Sequence, residues 1–300
     1  MADTLLLHYD PARPDQATWS HVNNQGELTS RITSGSIEDA ARVAEQHKVV
    51  VLIDSTNVHL NHVKLPTSNR QKMLRAIPFA LEDQLAEDVE AFHFVLGKTE
   101  TDYGIPVAGI RKNIIEALLS RFDAAGINVD AVIPDAICSP ITESQWSIVL
   151  HEDKAMVQFD AQIGTVIDIV NLPLLLQSSL TETEKKPEKL VYYHLDGETP
   201  GFSPEDIDAE IETVKIAYNK HPLVIFCGAY NKVRSLNLLQ GDYTPKLPLG
   251  RWYRQWRAVA VLFLGAFVLQ LAASYAEYRN LNEQNLALRA AVEQSYRKAF

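Results

Sequence analysis

Cysteine is nearly absent from this 300-residue chain: there are two, Cys138 and Cys227, and no Cys-x-x-Cys pair. That excludes a disulfide scaffold and a thiolate metal knuckle, and it points to reduced thiols in a reducing compartment. The nine histidines are scattered without metal-ligand spacing, so no metal site is expected. A basic excess is missing as well. Seven of the 28 Lys+Arg but three of the 38 Asp+Glu lie beyond Gly250, leaving 21 basic against 35 acidic side chains in residues 1–250. An acidic part of that size argues against nucleic-acid binding. The opening MADTLLLHYD has an early Asp3 and only three consecutive leucines, which is not the pattern of a signal peptide.

Long hydrophobic runs are also lacking, with one exception: Ala258 to Ala276 holds no charged side chain, and Gln270 and Ser274 are its strongly polar members. As a helix, these residues span roughly 28 Å, close to the hydrocarbon thickness of a bilayer. A buried core helix is the other reading of such a run, but core helices rarely stay apolar all round for so long. Trp252, Tyr253 and Trp256 stand before the run, and Tyr275 and Tyr278 at its end, as aromatic rings do at the two headgroup levels. Arg251, Arg254 and Arg257 form a basic collar on the N-terminal side, against Arg279 alone in the first residues beyond the run. The asymmetry of positive charge predicts a single-pass helix with the N-terminal part in the cytoplasm, and the collar limits contact with anionic lipid to this segment.

The rest reads as an α/β protein. Strands are expected at Leu5–Tyr9, Trp19–Val22, Leu28–Ile32 and Lys48–Ile53, with 58–65 pairing beside the last. Ser36 is positioned to cap a helix through Glu45, and Ser68 one carrying Met73, Leu74, Ile77, Leu81 and Leu85, kinked or restarted at Pro78. The carboxylates Glu82, Asp83, Glu87, Asp88 and Glu90 read as a solvated helix face, because nothing pairs them with a nucleophile or phosphate cradle. Strands at Phe92–Leu96 and Ile105–Ile110, a helix from Ile114 to Ala125 stopped by Gly126, and a strand from Asn128 to Ile133 complete a first half that Pro134-Asp135 closes. From Trp146 the pattern repeats: three strands through Val170, a polar loop at 177–189, a strand at Leu190–Leu195, a helix from Ser203 to Ala217 and a strand from Leu223 that ends in Cys227-Gly228-Ala229. Strands first, then alternating strand and helix, twice over, outline a duplicated fold. Beyond the apolar run, Leu281, Asn285, Leu288 and Val292 recur at heptad spacing. They form either a short parallel coiled coil, with Asn285 restricting the partner, or an isolated amphipathic helix.

This order of features resembles the L component of the bacterial type II secretion system. The residues that carry the likeness are Leu81-Glu82-Asp83-Gln84-Leu85 with Phe92-His93-Phe94, Pro134-Asp135 followed by Trp146 and its hairpin, the arginine collar, and the ending Tyr296-Arg297-x-x-Phe300. The resemblance implies an actin-like region of two ribonuclease-H-like halves (residues 1–140 and 141–245), a juxtamembrane basic linker (246–257), a transmembrane helix (258–276) and a periplasmic helical stalk (277–300). A periplasmic domain would follow in that family, so the chain is expected to stop before it. The resemblance also implies an inner-membrane location and three kinds of partner: the secretion ATPase, the bitopic M-type component with other platform subunits, and a second copy in a homodimer. Nucleotide-binding members of the fold use acidic, glycine-rich turns. Here the stretch after the first strand, ending in Asp10, lacks Asp-x-Gly; the second candidate keeps Asp160 and Thr165 but has Gln162 for Gly; the third, around Gly228, has Cys227 for Gly. Phosphate turns need glycine so that the backbone can approach the anion. A non-enzymatic scaffold without a cofactor is therefore expected, with a membrane-anchored actin-like ATPase as the alternative and a bitopic sensor, for which no kinase, cyclase or receiver motif is found, as a remote third.

Overall fold

A computed structural model describes residues 3–299 apart from 46, 68, 86, 98–103, 184–185, 198–210, 232–235 and 246–248. Two compact units are formed, Met1–Pro245 and Lys246–Phe300.

Among the described residues of the first unit, thirteen strands lie in three sheets. β1 (Thr4–Tyr9), β2 (Gln16–Val22), β3 (Thr33–Ser36), β4 (Lys48–Ile53) and β8 (Val129–Pro134) make a sheet of order β3-β2-β1-β4-β8. β2 is antiparallel to β1, while β4 and β8 run parallel to it. β9 (Gln145–His151), β10 (Lys154–Gln158), β11 (Gly164–Asp168), β12 (Lys189–Leu195) and β13 (Glu212–Tyr218) repeat the arrangement in the order β11-β10-β9-β12-β13, with the same strand directions. The duplication expected from the sequence is present, strand for strand. Central strands carry continuous apolar runs, Leu5-Leu6-Leu7 and Val49 to Ile53, because both faces of these strands are covered.

Helices close the crossovers. α1 (Ile37–Ala44) starts in a capping box: Ser36 accepts from the Asp39 N–H, and the Asp39 carboxylate accepts from Ser36. Its counterpart in the second half is α4 (Leu172–Glu182), which buries Leu172, Leu176 and Leu180 at every fourth position. Burial of each is worth about 2 kcal/mol. Between β4 and β8 an insertion holds the third sheet, β5 (Val58–Val63), β7 (Ile105–Arg111) and β6 (Phe92–Leu96), with α2 (Arg70–Leu81) packed on it through Met73, Ile77 and Leu81. α3 (Lys112–Ala124) ends at Gly126, whose φ of +78° favours glycine.

Several expectations are corrected. Residues 28–32 contribute one bridge, Leu28 to Val22, and the third strand is the polar edge Thr33–Ser36, which has no apolar alternation to reveal it. β5 pairs with β7, not with β4. Asn69 caps α2, accepting from the Gln71 and Lys72 N–H groups, and Ser68 lies outside the described residues. The helix continues through Pro78 and stops at Leu81, so the acidic residues that follow sit on turns rather than on a helix face, with Glu87 held by Arg111. Residues 177–182 are helical, since the leucines of α4 give that polar stretch a buried face. Residues 212–217 form β13, not a helix, because Thr213, Val214 and Ile216 extend alongside β12; the Ser203 cap lies outside the described residues. Leu223–Phe226 is one helical turn, α5, entered from Pro222, and not a strand.

The second unit is one helix, α6 (Leu249–Ala299), which is therefore already helical through most of the segment expected as a linker. Its stretch Val261–Leu286 is long and apolar enough to cross a membrane by length and composition. Its apolar side chains are exposed all round, Phe263 at 76% and Leu269 at 72%.

Candidate functional site

Three neighbouring strands of the first sheet, β1, β4 and β8, run parallel, and each is followed directly by an aspartate: Asp10, Asp54 and Asp135. Ligands of α/β sheets bind beyond such carboxyl ends. In the second half the same end of the sheet carries His151, the last residue of β9, Glu152 after it and Asn219 after β13, and the two rows meet through Arg13–Glu152 and Lys154–Asp54.

The outermost layer of this seam is ionic. Asp10 accepts from the Ala12 N–H at 2.9 Å and from Arg13 Nε at 3.2 Å, which fixes Arg13 at the tip of the β1–β2 turn. The Arg13 guanidinium then forks onto both carboxylate oxygens of Glu152, at 3.1 and 3.0 Å, in the β9–β10 turn. These donated hydrogen bonds lower the Glu152 carboxyl and raise Arg13. Both side chains are 52% exposed, so the pair contributes at most about 1 kcal/mol. Its consequence is steric: the two turns that duplication makes equivalent are occupied by each other's side chains.

One layer down, Asp54 accepts from the Thr56 N–H at 2.8 Å and from Lys154 Nζ at 2.8 Å. Burial works to raise the Asp54 carboxyl, but the bonds from Lys154 and Thr56 outweigh it and leave it lowered. Deeper still is Asp135, 1% exposed, the residue that closes the first half. Its Oδ1 accepts from the Ser55 N–H at 3.0 Å and its Oδ2 contacts His8 Nε2 at 2.8 Å, while the Ser55 hydroxyl accepts from the Ala136 N–H at 3.1 Å. Both carboxylates are thus committed to cations or donors of the chain itself. Among the described residues no group of His, Cys, Asp or Glu is arranged to hold a metal ion.

The sequence-derived turn residues lie elsewhere. Asp160 caps its own turn, accepting from the Gln162 and Ile163 N–H groups at 2.7 and 2.8 Å, and faces His62 Nε2 at 3.6 Å. That turn joins β10 to β11, so Asp160 and Thr165, in β11, stand at the opposite end of β10 from Glu152 and Lys154. Gly228 follows α5, next to Gly26: a Cβ on Gly26 would lie 3.0 Å from the Gly228 Cα and 2.8 Å from the Cys227 carbonyl. The residues that build the seam, Arg13, Asp54, Asp135, Glu152 and Lys154, were not singled out as a site, although the thrice-repeated pattern of an apolar strand followed by Asp is visible in the sequence. On α6, Leu281, Leu288 and Val292 are about 60% exposed, and Asn285 is exposed beside them on the same stripe. Arg251, Trp252, Arg254, Trp256 and Arg257 belong to the helix by backbone, and their side chains lie outside the described ones.

Two halves of identical strand order, facing each other across the carboxyl ends of their central strands, define the actin-like class built from paired ribonuclease-H-like folds. The cytoplasmic domain of the Vibrio cholerae type II secretion inner-membrane component EpsL superposes with a TM-score of 0.68 at 20% identity, covering 81% of this chain and all of that one. The PilM–PilN type IV pilus biogenesis complex gives 0.54 at 12% identity over 77% of this chain and 98% of that one. The family model for type II secretion system protein L matches residues 15–246, and the chain belongs to that family. Type II secretion system protein L of Dickeya chrysanthemi is 25% identical over 99% of this chain and 70% of its own length; the Vibrio cholerae protein is 28% identical over 88% of this chain and 63% of its own. The chain is thus a component of a type II secretion system, whose L proteins are inner-membrane components that work with other parts of the system.

Proposed function

We propose that the chain is a non-enzymatic membrane scaffold. Residues 1–245 form the cytoplasmic part, which recruits the secretion ATPase, α6 anchors it by a single pass, and the stalk face of Leu281, Asn285, Leu288 and Val292 pairs with a second copy or with the bitopic M-type component. The partners come from the resemblance to the family; the arginine collar supports the orientation and adds attraction to anionic headgroups of roughly 1 kcal/mol per arginine. The observation that carries the non-enzymatic reading is the seam. Asp54 and Asp135, at the strand ends where a metal–phosphate group would be held, are bonded to Lys154 and His8, and Arg13 fills the gap between the turns with its bond to Glu152. A phosphate chain would have to displace these contacts and would meet three carboxylates. The purified unit 1–245 should co-elute with the amino-terminal region of the secretion ATPase on gel filtration and release no phosphate from magnesium–ATP above a buffer blank. Turnover abolished by Asp54→Ala would establish the ATPase alternative instead. A folded unit that binds no secretion ATPase would remove the scaffold.

A further inference from the structure

At the floor of the seam three imidazoles from three separate elements touch. His221, in the turn that enters α5, lies edge-on to His8 of β1, with ring centroids 5.1 Å apart, and edge-on to His151 at the end of β9, 4.9 Å apart. Phe226 of α5 covers His8 at 6.1 Å. His221 Nδ1 accepts the Leu223 N–H at 3.2 Å, so the neutral ring carries its proton on Nε2 and holds the first turn of α5 by an acceptor that protonation removes. Three non-glycine residues among the described ones have a positive φ, and two of them adjoin this cluster: Glu152 at +53° beside His151 and Lys220 at +68° beside His221. Backbone held in that region costs free energy and persists only where surrounding contacts enforce it.

We propose that His8, His151 and His221 form a proton-operated latch, closed while His221 is neutral, whose protonation releases residues 219–230 from the seam between the two halves. The charged and titratable groups facing His221 are unequal. Arg13 adds positive charge from the β1–β2 turn but is paired to Glu152; His8 is held by Asp135; Lys154, on β10, is paired to Asp54; Lys220 adjoins in sequence; Tyr218 of β13 donates to the Leu150 carbonyl and meets His151 Nδ1 at 3.3 Å. No carboxylate is hydrogen-bonded to His221 itself among the described residues, so a proton there would face His8, His151 and Arg13 with no counter-charge of its own. Burial first, then those three neighbours, hold His221 down to about 2 from its ordinary 6.5. A base with a lowered pKa in the closed state favours closure while neutral, above pH 6.5, and opposes it increasingly as the pH falls below that value. Release would uncover Gly228 and the surface of the Gly26 turn packed on it.

Amide hydrogen exchange of the full chain in detergent micelles, corrected for the intrinsic pH dependence of exchange, reads the latch directly. Protection across 223–230 should fall by up to about tenfold per pH unit below pH 6.5, while protection of β4 and β12 stays level. His221→Asn, whose amide oxygen keeps an acceptor for the Leu223 N–H and takes up no proton, should hold protection constant over the same range. Should that variant not fold, His151→Gln serves: it removes one imidazole that holds His221 down, so the fall in protection should begin at the same pH but level off at a higher pH than in the unaltered chain. Protection that falls equally in β4, β12 and 223–230, an unchanged profile in His221→Asn, or, where His151→Gln is the variant read, a fall that levels off no earlier than in the unaltered chain, would overturn the latch.

Discussion

Lys154 and Arg13 both bridge the halves, but their surroundings make them unequal. Arg13 and Glu152 are each half exposed, and water replaces either partner at little cost. Asp54 is only 10% exposed beside Lys154, and removing the ammonium leaves a mostly buried carboxylate with the donors of Thr56 and no cation. Lys154→Met should therefore cost about 1–3 kcal/mol in urea unfolding at pH 7, and Arg13→Gln less than about 1. The sign with pH follows from the lowered Asp54 carboxyl. Its contribution is fully present above the ordinary value of 3.8 and is lost as the pH falls through the lower folded value. Wild type and Lys154→Met should thus converge in stability below pH 3.8. A gap that persists in acid would mean that Lys154 acts through its bond to the Thr56 hydroxyl and not through its charge on Asp54.

Among the elements, the β10–β11 hairpin tests how closely the halves are fitted. Gly164 opens β11, and a Cβ there would sit 2.6 Å from the Ala136 carbonyl oxygen and 2.8 Å from that of Val157. Both obstacles are backbone, so Gly164→Ala should destabilise the unit by about 1–3 kcal/mol. At Gly228 the nearest atom to an added Cβ is 3.9 Å away, and Gly228→Ala should lie within about 0.5 kcal/mol of wild type. Thermal unfolding of the pair checks both, and equal losses would contradict the packing described. The two glycines also show what could be read in advance. Gly228 stands out through the Cys227-Gly228-Ala229 turn that the family resemblance implies, whereas Gly164 owes its role to Ala136, a neighbour on another element that no local spacing marks. The central strands β1, β4, β9 and β12 were legible because both of their faces are apolar. Strands β3 and β13, at the sheet edges and largely exposed, carry no such pattern: the apolar residues predict a strand at Leu28–Ile32, just before β3, and a helix through Ala217, over most of β13. The aspartates after β1, β4 and β8 were visible as residues, but their partners lie 100 and 127 positions away for Asp54 and Asp135, and ion pairing has no spacing code.

For the molecule as a whole, the decisive asymmetry is that of charge about α6. The first unit is acidic and the collar basic, and beyond the apolar stretch Arg279 is the nearest cation. Acidic residues contribute little to orientation, so we propose that the three collar arginines decide it and hold residues 1–245 on the cytoplasmic side. The helix presents apolar side chains on every face from Val261 to Leu271, and an aqueous environment would leave them all in water. Within a bilayer they cost nothing, and Gln270 and Ser274 are left as polar groups available to a neighbouring helix. An arginine at Leu264, near the middle of the run, should raise the free energy of insertion by about 3 kcal/mol, enough to lower the inserted fraction visibly in a glycosylation-mapping assay. Topology reporters that are active only outside the cytoplasm should give no signal when fused after Asp242 and a strong one after Glu283. Changing Arg251, Arg254 and Arg257 together to Gln should allow part of the population to invert, because Arg279 and Arg289 then outnumber Lys246, the cation left within twenty residues before the helix. Activity from the Asp242 fusion in the unaltered chain would reverse the assignment and put the actin-like unit on the side where no cytoplasmic ATPase could reach it.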